Sequence, residues 1–193
     1  MLDPLNTLSQ RLSRQSRAAT ICVGLAITIA GFWLFNASPA PFSHPVLLEQ
    51  TGVGLLDLLP YYTFAEAYQH LSTLGAEGRR AYLLFLAVDY LFILVYSLTA
   101  AWLISALVRR AFGARTNRMR LNLAPLAIGL CDVVENSCNL AQLLAFPAAL
   151  PPVGALAGIA TLSKHGATLL VLGLMVVLTV QGFRARRNGQ MAG

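Results

Sequence analysis

Apolar positions along the chain gather into four runs, Ala18–Asn36, 81–108, 121–146 and 153–183. Each is long enough to cross a bilayer, which takes about 20 residues of helix. The third run is unlike the others. Residues 130–147, LCDVVENSCNLAQLLAFP, carry Asp132, Glu135, Asn136, Asn139 and Gln142 at steps of three, one, three and three. On a helix that spacing makes a single polar stripe. A charge at bilayer depth costs roughly 2.5 to 3.5 kcal/mol, so such a stripe has to face other helices and not lipid. The pattern predicts an all-α fold, a four-helix transmembrane bundle forming one integral membrane domain over residues 1–193.

Two other runs are marked in the same way. In the second, Tyr82, Asp89 and Tyr96 are seven apart and share a face, with Ser97 beside them. In the fourth, Thr161, Lys164, His165 and Thr168 recur at helical spacing. Counted from the outer ends at 1.5 Å per residue, Asp89, Lys164, Glu135 and Asp132 lie roughly 13, 16, 17 and 21 Å deep. Helix boundaries read from sequence are uncertain by about 3 to 6 Å, so the four levels coincide near mid-membrane. One cluster of three carboxylates and one ammonium is expected there.

The first run carries only small breaks, Thr20, Gly24, Thr28 and Gly31, with Trp33 and Phe35 placed at the outer interface. Its apolar stretch exceeds the roughly 7 to 15 residues of a signal-peptide core, which favours a retained helix. Before it, Leu2, Leu5, Leu8 and Leu12 suggest an amphipathic turn or two that anchors the N-terminus. Residues 37–80 form the one long loop. Pro39, Pro41 and Pro45 favour an extended start. The apolar stretch 46–59, too short to span, reads as an interfacial or re-entrant segment with Asp57 as a turn residue. Thr63 and Glu66 have capping-box spacing, opening a short helix that Gly75 can close. A loop of this length is expected to cover the outer mouth of the bundle.

Composition agrees with the pattern. The chain of 193 residues is 56% hydrophobic and only 11% charged, with a mean hydropathy of +0.64, outside the range of soluble domains. Its net charge of +6 is no nucleic-acid signal, because the arginines cluster at helix ends. Arg11, Arg14, Arg17, Arg109, Arg110, Arg115, Arg118, Arg120, Arg184, Arg186 and Arg187 fall at one end of the predicted bundle, against Arg79 and Arg80 at the other. The positive-inside rule then puts both termini in the cytoplasm and the protein in the cell inner (cytoplasmic) membrane. The partners expected are the lipid bilayer and a lipid or small polar ligand, with no nucleic acid. Cys22, Cys131 and Cys138 make no C-x-x-C pair and read as core packing, and no thiol-redox chemistry is expected.

The chemistry follows from the cluster. Lys164 is the chain's only lysine among fourteen basic residues, which singles out a titratable amine. Asp89, Asp132, Glu135 and Lys164 are the candidate catalytic groups. Asn136, Asn139, Tyr82, Tyr96, Thr161, His165 and Arg80 are the candidate ligand-binding ones. Four functional classes fit: a site for a small polar or lipid headgroup, an acid/base enzyme acting on a lipid, a proton-coupled carrier, which would need a homodimer, and an assembly protein in which the cluster is helix glue. H-E-x-x-H, P-loop and G-x-S-x-G motifs are missing. No cofactor and no metal is expected; a hard cation at Asp89, Asp132, Glu135 and Asn136 would compete with Lys164 for the same charge.

One further pattern runs from Asp57 to Lys164: Asp57 then Pro60-Tyr61, Leu74-Gly75 then Gly78-Arg79 and Tyr82, Asp89 with Tyr96, Asp132-x-x-Glu135-Asn136, and Thr161-x-x-Lys164. In these residues the chain resembles a group of bacterial four-helix integral membrane proteins with no established activity. The resemblance implies that the polar positions belong together. It implies no reaction.

Overall fold

A computed structural model of the chain describes residues 3–114 and 116–190. Leu2 of the expected N-terminal apolar face and Arg115 of the basic loop lie outside the described residues. Among those residues there are seven α-helices and no strand: α1 Pro4–Gln15, α2 Ala18–Asn36, α3 His44–Thr51, α4 Phe64–Thr73, α5 Gly75–Phe112, α6 Ala124–Ala145 and α7 Pro151–Gln190. Short 3-10 segments, Leu56–Leu58 and Asn117–Leu123, precede α4 and α6.

Three helices, α2, α5 and α7, are long and apolar enough to cross a membrane. The expected fourth span, α6, has the length, at 22 residues, but its own polar stripe keeps it out of that set. The stripe explains its position. Asp132, Glu135, Asn136, Asn139 and Gln142 are all buried, and α6 packs against α5 on one side and α7 on the other. Where α6 meets α5, Gly129 lies against Ser97. Where α2 meets α5, Gly24 lies against Thr99 and Gly31 against Phe92, which sets these two helices antiparallel. Asp89 and Lys164 line one cavity and Arg110 lies beside Gly182, so α5 and α7 run the same way.

The long loop folds down onto one end of the helices. Leu47, Leu55, Leu56, Tyr62, Ala67 and Leu71 join Tyr82, Phe85, Leu86, Cys138, Leu143 and Ala157 in one buried cluster, and each such large apolar side chain contributes about 1.5 to 3 kcal/mol. Pro45 begins no extended segment. It sits in the first turn of α3, where a missing N–H costs nothing. Likewise, the stretch expected to be interfacial or re-entrant resolves into α3 and a 3-10 turn packed on protein. The capping box is present: Thr63 Oγ1 accepts from the Glu66 amide at 3.3 Å, and Glu66 Oε2 accepts from the Thr63 amide at 2.7 Å. Gly75, at φ +64°, forms the joint at which α4 ends and α5 begins, a left-handed step that glycine takes without strain.

Three further expectations are corrected. Trp33 is exposed but Phe35 is buried, since its ring meets Phe42, Phe85 and Phe92. Cys22 faces outward while Cys131 is half-buried and Cys138 buried, all three as free thiols. The N-terminal turns are a full helix, with Leu12 buried and Leu5 and Leu8 exposed.

Candidate functional site

Lys164, on α7, is the hub. Its Nζ lies 2.6 Å from Glu135 Oε2, 2.9 Å from Asp132 Oδ1 and 3.9 Å from Asp57 Oδ2. The three-residue step between Asp132 and Glu135 stacks both carboxylates on one face of α6, which is why a single ammonium reaches both. Each acid also has a neutral partner. Tyr96 donates to Asp132 Oδ2 at 2.7 Å, Tyr82 to Asp57 Oδ1 at 3.4 Å and Tyr62 to Glu135 Oε1 at 3.3 Å. Asp89 Oδ2 accepts from the Asn136 amide at 2.7 Å. Asn139 extends the network by donating to the Tyr62 hydroxyl at 2.9 Å, and Gln142 donates to Asn139 Oδ1 at 3.2 Å.

Four carboxylates therefore surround one ammonium. In a site removed from water, such a set is not fully ionised unless more positive charge arrives, as protons or as a ligand. At Asp57, outside the spanning helices, burial holds the carboxyl well above the usual range; Lys164 opposes the shift, and Glu135, Asp89 and Asp132 reinforce it. Burial, and then Glu135, also keeps Tyr62 a phenol well beyond its ordinary range, so it acts as a donor. One oxygen from each of Asp57, Asp89 and Asp132 lies within 4.8 Å of the others. That spacing suits a hard cation by geometry, although Lys164 satisfies part of the same charge.

The cluster forms part of the wall of a cavity of about 480 Å³. The apolar wall comes from α2, α5 and α7, through Leu25, Phe32, Phe92, Leu103, Val171 and Met175, while Asp57, Asp89, Asp132 and Lys164 supply its charged part. α2 packs along α5 and touches α3, with no comparable seam against α7. Leu25, Phe32 and Leu172, which line the cavity, remain exposed. The cavity therefore opens sideways between α2 and α7, at the height where lipid chains would lie if these helices span a bilayer.

Most residues singled out by sequence converge here: Asp89, Asp132, Glu135, Lys164, Asn136, Asn139, Tyr82 and Tyr96. Thr161 is buried one turn before Lys164, and its hydroxyl returns to the Ala157 carbonyl at 2.9 Å. His165 stands at the cavity rim with Nε2 3.0 Å from the Leu59 carbonyl. Arg80 is not brought to the site. It pairs with Glu77 at 2.9 Å on the surface, its side chain 77% exposed, because it faces away from Tyr82 at the start of α5. Arg79 instead reaches back to the Leu71 carbonyl and lies over the Phe146 ring.

Two site residues were not among the candidate catalytic or ligand-binding groups. Asp57, read as a turn residue and joined to the other polar positions only by the resemblance, supplies a fourth carboxylate. It is one of two acids, with Glu49, in the apolar stretch 46–59, and spacing did not set it apart. Tyr62 carried no signal. Its place depends on Gly158 of α7, where an added Cβ would collide with the Tyr62 carbonyl oxygen, so the loop backbone lies directly on that helix.

Compared with known proteins, the chain matches no family model, no curated protein and no solved structure. The resemblance to bacterial four-helix membrane proteins thus rests on its residue pattern alone.

Proposed function

We propose that this is a multi-pass protein of the inner (cytoplasmic) membrane. α2, α5, α6 and α7 form a four-helix spanning bundle, with both termini on the cytoplasmic side, and the pocket takes a lipid or similar amphiphile. The apolar part would lie in the cleft between α2 and α7. The polar head would reach Asp57, Asp89, Asp132 and Lys164. One observation carries the reading: a single cavity has apolar walls open to the side and a buried ionic cluster in its lining. An amphiphile matches both halves, and a small polar solute matches only one.

Arginine placement supports the orientation. Arg109, Arg110, Arg118, Arg120, Arg184, Arg186 and Arg187 lie at or beyond the ends of α5 and α7 or in the segment before α6, the end expected in the cytoplasm. The acid/base enzyme and the proton-coupled carrier add a reaction or a gradient to the same pocket. The helix-glue reading draws on a different fact, that Lys164 joins α7 to α6 and to the loop.

The test is lipid retention. Protein purified in a mild maltoside is analysed intact by mass spectrometry, as wild type and as Leu103→Trp, which fills the cleft. Retained lipid that the variant loses supports the pocket. Identical spectra with no bound lipid, together with unchanged melting, leave the cluster as helix glue and overturn the proposal.

A further inference from the structure

We infer that the amphiphile bound in this cavity carries a positively charged head, a hydrophobic amine or quaternary ammonium, held by Asp89 and Asp57 against an aromatic wall. This rests on the reading of the cavity as an amphiphile site and adds the charge of its ligand.

Charge accounting comes first. Lys164 is occupied by Glu135 and Asp132 at 2.6 and 2.9 Å. Glu135 is fully buried behind the cavity and is not part of its wall. Asp89 is held by one neutral amide, and Asp57 by a phenol and the distant edge of the ammonium. Asp89 lines the cavity at 5% exposure and accepts a hydrogen bond from Asn136 through Oδ2. A carboxylate at the wall of an apolar cavity, with its other oxygen open to that cavity, is satisfied by a proton or by a cationic ligand.

The wall beside these acids is the second, independent observation. Phe32, Phe35, Phe85, Phe92 and Tyr96 all line the cavity. Their rings form one connected set, with centroids 5.1 to 5.5 Å apart along Phe85–Phe35–Phe92–Tyr96 and Phe32–Phe92. Aromatic rings next to carboxylates recognise organic cations, because the negative face of the ring quadrupole attracts a desolvated positive charge. An anionic head would meet surplus negative charge, with Lys164, the cation of this cluster, already paired. A neutral head would gain nothing from that surplus. A bare metal ion could use the three aspartates but not the rings or the cleft.

The experiment measures equilibrium binding to the purified protein in nanodiscs. Four probes are compared: decyltrimethylammonium, neutral decyl glucoside, anionic decyl phosphate, and Mg²⁺ alone. The expected result is that the cation binds at least ten-fold more tightly than the glucoside and that the phosphate does not bind. Asp89→Asn, whose amide oxygen can still accept from Asn136, should weaken the cation ten-fold or more and leave the glucoside unchanged. If that variant does not fold, Phe92→Leu serves instead, with a several-fold loss for the cation alone. Equal binding of all three amphiphiles overturns the cationic head and leaves the amphiphile pocket standing. No binding by any amphiphile overturns both readings. Binding of Mg²⁺ with no response to the alkylammonium also overturns the inference, assigning the aspartates to an inorganic ion.

Discussion

Both ends of the bundle bury polar side chains, yet they use them differently. At the arginine-rich end, the Arg109 guanidinium donates to the Ser13 carbonyl and hydroxyl and to the Ser16 carbonyl at 2.8, 3.1 and 2.8 Å. Asn122 donates to the Ser9 carbonyl and to Ser105 Oγ, each at 2.9 Å. One cation meets neutral oxygens there, and the bonds tie α1 to α5 and to the 3-10 segment Asn117–Leu123. Beneath the long loop, three carboxylates lie within 4 Å of one ammonium and a fourth, Asp89, stands beside them. The first arrangement carries no surplus of negative charge, although Asn122 Oδ1 and Ser9 Oγ are buried there without a hydrogen-bond partner. The second carries charge beyond what holding helices together requires, since one ion pair would fix the register of α6 against α7. Surplus charge of that kind weakens a fold and marks the end of the molecule where a ligand is expected.

The largest effect expected is at the hub. Lys164→Met leaves Asp132 and Glu135 facing each other without their cation, a loss of about 3 to 5 kcal/mol. Thermal unfolding in detergent should show melting fall on the order of 10 °C at neutral pH. Unchanged melting would mean the acids do not depend on Lys164. Next is the arginine-rich end. Arg109→Gln should cost about 2 kcal/mol through lost charge-assisted hydrogen bonds and speed amide exchange in α1. It should leave lipid retention alone; lost retention would show that the two ends are coupled.

Asp57 sharpens the contrast through pH. Burial raises its pKa well above the usual value near 3.9. A raised folded-state value contributes stability that is full below the unfolded pKa and is lost as pH rises through the folded one. Melting should therefore decline from mildly acid towards alkaline pH, and Asp57→Asn should flatten part of that decline. An unchanged slope would remove Asp57 from the charged set. The smallest effect is at Arg80, where Arg80→Ala removes only an exposed pair; melting and lipid retention should both stay as they are.

Legibility followed geometry. The stripe of α6 was readable because a helix repeats every 3.6 residues, so spacing along the chain records which side chains share a face. The same rule aligned Tyr82, Asp89 and Tyr96 and set Lys164 apart. α2 was legible end to end, from the arginine before Ala18 to the loop after Asn36. Arg80 misled because a cation at a helix start looks alike in sequence whether it turns towards a site or towards water.

Residue order decided the helices, the apolar runs, the arginine-rich end and the presence of buried charge on α5, α6 and α7. Tertiary structure decided how the loop contributes to the cluster. Asp57 reaches Lys164 across more than a hundred residues, and Tyr62 reaches Glu135 and Asn139, because loop backbone settles against α7 at Gly158. A loop has no repeat to reveal its inward face. The cavity, too, exists only between helices, where α2 follows α5 and leaves α7 free on one side. Side-chain period is local to an element, whereas a gap between elements depends on how their faces pack.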